Sequence, residues 1–237
     1  VPCFLIRHPS VGPILVDTGL HPSISSDPSK NLGRMGTSFY KPELGPGEDA
    51  SSQLRDKGID PASIRLVILT HLHIDHASAI ADFPDSTLIV TAKEWEAATS
   101  GAMPFREGYR REQFDYAFDY RTVSFDTDDV NSYASFGRTI DLFGDGSIRL
   151  ASTSGHTSGH QSLIVRLKDR DMVIGGDAVY LSSQLEPGSH LPGRIVDEHS
   201  FRRTLQELGL FHAQYPEAVI TPGHDKAFYD SAPAIWE

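Results

Sequence analysis

The sequence predicts an α/β protein in which helices cover sheets packed inside. Three observations carry that prediction. Short apolar runs of strand length recur along the chain, helical segments lie between them, and five of the runs end in small residues followed by His or Asp. The 237 residues suffice for one well-cored domain or two small ones, and a single domain over 1–237 is expected. Val1 in place of Met points to a truncated N-terminus.

In chain order, Cys3–Ile6 and Pro13–Val16 read as paired strands around the turn His8–Gly12. Leu20–Glu48 is rich in Pro, Gly and Ser and lacks periodicity, so it reads as a long loop covering a site. Ala50–Lys57 reads as a helix ending at Gly58, and Pro61–Leu69 leads into a histidine cluster. A helix is expected over Asp75–Asp82, a strand at Leu88–Val90, and a further helix through Lys93–Ala98. Gly101–Phe125 is aromatic and charged and reads as irregular and partly helical. Strands follow near Arg138–Leu142, Ile148–Ser152, Ser162–Lys168 and Asp171–Ile174, then a helix at Phe201–Leu210 and a strand at Ala218–Ile220.

A hydrophobic share of 39% and a charged share of 22% are ordinary for a globular chain. The net charge of −11 argues against nucleic acid as a partner, because phosphate binding needs a basic surface. No apolar run reaches membrane-span length and no signal peptide is evident, so no membrane partner and a cytoplasmic location are expected. The one cysteine, Cys3, excludes an internal disulfide and any cysteine-based zinc site.

Chemistry concentrates in Thr70–Ile80. His71, His73, Asp75 and His76 fall within six positions, directly after Leu66–Leu69. Histidine and aspartate are ordinary zinc ligands. On an extended chain His71 and His73 share a face, because side chains alternate. A turn at Ile74 would start a helix whose first residues, Asp75 and His76, point back to the same volume. Surface histidines beside a capping Asp are the bland alternative, and four ligand types in this register disfavour it.

Four other strand ends repeat the signal, placing Asp17, His156, Asp177 and His224 after apolar runs. Such ends converge in the crevice of open α/β sheets. His71, His73, Asp75, His76, His156, Asp177 and His224 supply the roughly seven protein ligands that two water-sharing ions need. Asp177 is the natural bridging carboxylate. Zinc is the first expectation, with cobalt, manganese and iron also compatible. Asp17-Thr18-Gly19 could mark an aspartic protease, but that chemistry needs two such carboxylates and the chain has one Asp-Thr-Gly. Holding a ligand histidine in orientation is the better reading of Asp17.

The ordered set Asp17, His71-x-His73-x-Asp75-His76, His156, Asp177 and His224 resembles the metallo-β-lactamase-fold hydrolases over most of the chain. That resemblance implies a four-layer αβ/βα sandwich with the site at one edge. It implies His71, His73 and His156 on one metal, Asp75, His76 and His224 on the other, and Asp177 bridging. The cysteine-containing β-lactamases do not fit, because no Cys lies near the motifs. Flavodiiron proteins usually carry Glu where His73 stands. Glyoxalase II enzymes share the ligand set and the Gly-His-Thr-x-Gly-His run seen at 155–160.

Tyr180, three residues beyond Asp177, tips the choice towards a resemblance to the N-acyl-homoserine lactone lactonases. By that resemblance a metal-bridging hydroxide opens the lactone ring of the substrate. Tyr180 would hydrogen-bond the developing oxyanion, and Asp75 would deliver the leaving-group proton. A small-molecule lactone is then the partner, and a homodimer is compatible. The rival readings are a thioester hydrolase of glyoxalase II type and a lactonase for another ring. Leu20–Glu48 and Gly101–Phe125 are candidate walls for an acyl pocket.

Overall fold

Strands form wherever β-branched and aliphatic residues run without interruption, and the chain gathers them into two sheets, one in each of two units. The computed structural model describes residues 1–114, 119–186 and 188–237. One unit spans Val1–Val123 and the other Ser124–Glu237.

In the first unit β1 (Phe4–His8) and β2 (Gly12–Val16) form an antiparallel hairpin pairing Phe4 with Val16. Next come α1 (Ser23–Ser26), α2 (Pro28–Phe39) and α3 (Ala50–Asp56). A 3₁₀ turn at Pro61–Ser63 leads to β3 (Leu66–Ile68), which pairs parallel to β2. A short helix α4 (Ile74–Ala77) and a 3₁₀ turn at Ile80–Asp82 precede β4 (Thr87–Thr91). After α5 (Ala92–Ser100), α6 (Pro104–Glu107) and a 3₁₀ turn at Arg111–Gln113, β5 (Tyr120–Val123) closes a sheet of order β1-β2-β3-β4-β5. Parallel strands are apolar on both faces. Accordingly Ile14, Leu15 and Val16 are all buried, and Leu15, Val67, Leu88 and Val90 share one core with Phe83 and Phe114.

The second unit is an antiparallel meander of β6 (Asn131–Tyr133), β7 (Phe136–Asp141), β8 (Ile148–Ser152), β9 (Gln161–Arg166) and β10 (Asp171–Ile174). The helix α7 (Glu198–Gln214) then carries the chain to β11 (Val219–Thr221), parallel to β10, and α8 (Lys226–Ser231) follows. Asp197 caps α7 by accepting from the His199 and Ser200 amides. Its Phe201, Thr204, Leu208 and Phe211 form the buried stripe. Leu208 and Phe211 pack with Phe136, Ile164, Val173 and Ile220.

Three expectations change. The stretch 20–48 is not structureless, because α1 and α2 occupy it. Asp27 caps α2 with Pro28 in its first turn, and Gly33, at φ 67°, kinks it and breaks the helical period. The helix expected over Asp75–Asp82 stops at Ala77 and resumes only as a 3₁₀ turn. Gly101–Phe125 contains a strand, β5, as well as short helical turns. Its Tyr109 and Phe114 belong to the core, while Tyr116 and Phe118 lie outside the described residues.

Candidate metal centre

The first unit presents His71 and His73 from the loop between β3 and α4, and Asp75 and His76 from α4 itself. Two carboxylates hold that loop in place. Asp17 Oδ1 accepts the Thr70 backbone N–H at 2.7 Å, and Glu94 Oε1 accepts the Leu72 N–H at 2.9 Å. His73 is the extended residue before α4, and its carbonyl accepts the His76 and Ala77 amides. The extended-then-helical geometry read from the spacing is thus present, with α4 starting at Ile74.

The imidazoles crowd together. The His71 ring centroid lies 4.6 Å from that of His73 and 4.1 Å from that of His76. A ligand-type atom of Asp75 lies within 4.8 Å of one on His76. His71, His73 and His76 are buried, while the Asp75 side chain is 37% exposed.

Hydrogen bonds fix which ring nitrogen carries the proton in His71 and His76. Asp17 Oδ2 lies 2.8 Å from His76 Nδ1 and 2.9 Å from Thr70 Oγ1. An ionised carboxylate only accepts, so His76 Nδ1 and the Thr70 hydroxyl both donate to it. With its proton committed, Thr70 Oγ1 accepts from His71 Nδ1 at 3.0 Å. Both rings therefore present Nε2 lone pairs, the arrangement in which a carboxylate orients metal-binding histidines. Asp17 holds its own place at φ 57°.

The second unit brings His156, Asp177, Tyr180 and His224 together. Asp177 sits on a 3₁₀ turn, Gly176–Ala178, at the end of β10. Its Oδ2 lies 3.3 Å from His156 Nε2 and 3.2 Å from His224 Nε2. His156 Nδ1 lies 2.9 Å from Tyr180 Oη and 3.3 Å from the Arg194 carbonyl, so this ring too turns Nε2 towards the carboxylate. The Tyr180 ring stacks on His224 at 4.8 Å and 18°.

Two glycines make these approaches possible. Gly155 has φ 136°, and a Cβ there would meet Phe201 N at 2.3 Å. A Cβ on Gly223 would meet Asp177 Oδ1 at 2.4 Å. Gln184 Oε1 accepts the Tyr180 and Leu181 amides, while Asp225 Oδ2 accepts from Ser182, so the Tyr180 loop is held from two sides.

The buried imidazoles of His71, His76 and His156, turning Nε2 away from their hydrogen-bonded Nδ1 and set near carboxylates, are a donor set for divalent cations of the zinc type. Every ligand candidate from the sequence stands in one of these two clusters. Glu94, Thr70 and Gln184 were missed. Thr91-x-x-Glu94 carries a capping-box signature, yet the Glu94 carboxylate leaves its own helix for Leu72.

Comparison with known proteins agrees with this chemistry. The profile of the Metallo-beta-lactamase superfamily matches residues 1–224. The N-acyl homoserine lactonase AttM of Rhizobium radiobacter is 33% identical over 95% of this chain and 81% of its own. AttM of Agrobacterium fabrum is 32% identical over the same shares. A crystal structure of a mutant B. thuringiensis AiiA with N-decanoyl-L-homoserine bound at its active site is 24% identical. It covers 99% of this chain and 85% of that one at a TM-score of 0.77, which shows the expected fold. The names of the AttM relatives accord with the sequence expectation of a metal-dependent hydrolase acting on lactone esters, and the chain belongs to the metallo-beta-lactamase superfamily.

Proposed function

We propose that the protein is a metal-dependent hydrolase that opens the lactone ring of N-acyl-homoserine lactones. The observation that carries this reading is Tyr180, whose hydroxyl lies 2.9 Å from His156 Nδ1 and whose ring stacks on His224. The lactonase names of relatives at up to 33% identity support it.

His71, His73 and His156 would hold one ion, and Asp75, His76 and His224 a second, with Asp177 shared. Two divalent cations there, zinc first, would acidify a water and polarise the ester carbonyl. The work of the chain itself is orientation and proton transfer. Asp17 keeps His71 and His76 in the tautomers that bind. Tyr180 accepts from His156 and, as a phenol, still donates through its own O–H to the oxyanion that forms on the carbonyl oxygen. Water adds to the carbonyl carbon, the ring C–O bond breaks, and the ring oxygen leaves as the homoserine hydroxyl. Asp75, with its side chain 37% exposed, takes up the proton that the attacking water loses and passes it to that leaving oxygen.

A cavity of about 450 Å³ in the first unit suits the acyl chain. Leu5, Leu20, Leu44 and Leu54 line it beside the carboxylates Glu43, Glu48, Asp49 and Asp75. Leu20, Leu44 and Glu48 come from the 20–48 stretch expected to wall such a pocket.

The test is metal analysis coupled to hydrolysis of short- and long-chain acyl-homoserine lactones, simple lactones and glutathione thioesters. The expected result is divalent metal in the protein and fastest turnover of the acyl-homoserine lactones. Faster thioester turnover would replace this reading with a glyoxalase II-type activity. Preference for an unacylated ring would make the protein a lactonase of another kind.

A further inference from the structure

His160, four residues past His156, is 1% exposed, and both of its ring nitrogens are engaged. Its Nε2 accepts the Asp177 backbone N–H at 3.0 Å. Its Nδ1 lies 2.9 Å from Thr153 Oγ1, which lies 2.9 Å from Ser162 Oγ. Ser162 Oγ in turn donates to the Gly175 carbonyl at 2.9 Å.

These contacts admit one assignment of protons. A backbone amide can only donate, so Nε2 carries the lone pair and the neutral ring has its proton on Nδ1. Thr153 Oγ1 accepts that proton's hydrogen bond. The Ser162 hydroxyl is spent on the Gly175 carbonyl, so the Thr153 hydroxyl donates to Ser162 Oγ. The chain starts at the amide of Asp177 and ends at the carbonyl of Gly175. It therefore grips the main chain on either side of Gly176, at the start of the turn that carries Asp177 out of β10. The side chains that do so stand at the adjoining ends of β8 and β9, since Ser152 pairs with Gln161.

We propose that His160 is a positioning residue. It fixes the main chain of Asp177, and through it the carboxylate, in the orientation that receives a divalent ion. The proposal rests on the reading of Asp177 as a metal ligand.

Four single variants of the full chain test it, each stripped of metal and titrated with zinc against a chromogenic chelator. Urea unfolding of the stripped proteins is followed in parallel. His160→Asn reaches only to the Nδ1 position and leaves the Asp177 amide without its acceptor. His160→Gln extends to the Nε2 position and restores an acceptor. Zinc affinity is expected to fall about 10–100-fold in His160→Asn, and to recover to within a few-fold of wild type in His160→Gln. Equal urea midpoints with wild-type zinc affinity in His160→Asn overturn the proposal. So does a loss of stability shared by both variants without any change in zinc affinity. Should His160→Asn fail to fold, Thr153→Val, which removes the hydroxyl next to His160, decides the matter. Weakened zinc binding supports the proposal and wild-type binding overturns it. Asp177→Asn separates the two readings. If it keeps wild-type affinity, the ligand assignment of Asp177 fails. If it loses zinc while His160→Asn does not, only the role of His160 fails.

Discussion

Asp17 Oδ2 lies 2.8 Å from His76 Nδ1 although 59 positions separate them, and both side chains are buried. The same carboxylate takes the Thr70 amide and hydroxyl, so one residue orients two imidazoles. Asp17→Asn preserves shape and suits φ 57°, but an amide cannot accept from all three donors. Zinc affinity should fall about 10–100-fold, measured by chelator competition, with far-ultraviolet circular dichroism of the stripped protein unchanged. Undiminished affinity would remove Asp17 from the centre.

Tyr180→Phe removes a hydroxyl and little else. His156 Nδ1 keeps the Arg194 carbonyl at 3.3 Å, so metal content should match the parent protein. The rate constant for opening an acyl-homoserine lactone should drop by about 10²-fold or less, because divalent metal held at the proposed centre would already stabilise the same charge. An unchanged kcat would leave Tyr180 as packing.

Metal removal has a thermodynamic signature besides lost activity. Ligands that bind only the folded state stabilise it by mass action. Restoring zinc at a hundred times its Kd should raise the unfolding free energy by about 2.7 kcal/mol, read from urea curves with and without metal. Overlapping curves would mean that the clusters hold no ion.

Gly155→Ala combines backbone strain at φ 136° with a Cβ only 2.3 Å from Phe201 N. A cost of roughly 2–5 kcal/mol is expected. Urea denaturation tests it, and a loss below half a kilocalorie would mean that the start of α7 yields easily.

Cys3 is half-buried, and desolvation, with Asp17 nearby, pushes its thiol from 9.0 up to about 12. A raised pKa means that the folded state holds its proton more tightly. The associated stability is complete below about pH 9 and is lost as the pH climbs towards 12. At pH 8 native Cys3 should resist iodoacetamide, whereas in urea it should react at an ordinary rate, followed by mass spectrometry. Rapid labelling of the native protein refutes this.

Much of this site was legible from residue types alone, because ligand-bearing residues follow apolar strands at His71–His76, His156, Asp177 and His224. Strand positions were legible for the same reason, with β8 and β10 falling where the apolar runs lie. The helix α2 was hidden by Gly33, whose φ of 67° interrupts the period that a helix would otherwise show. Glu94 and His160 were illegible in a different way. The roles of these residues are set by partners 22 and 17 positions away, which only the folded backbone brings near.

Gly223 N donates to the Val179 carbonyl at 2.8 Å and His224 N to the Tyr180 carbonyl at 3.0 Å. The loops after β10 and β11 are thus laced together main chain to main chain, with a glycine where they touch. Changes in one loop and in the other should therefore not add. A double-mutant cycle between Tyr180 and His224 should show coupling of about 0.5–3 kcal/mol, as expected when two side chains ride on one shared piece of backbone.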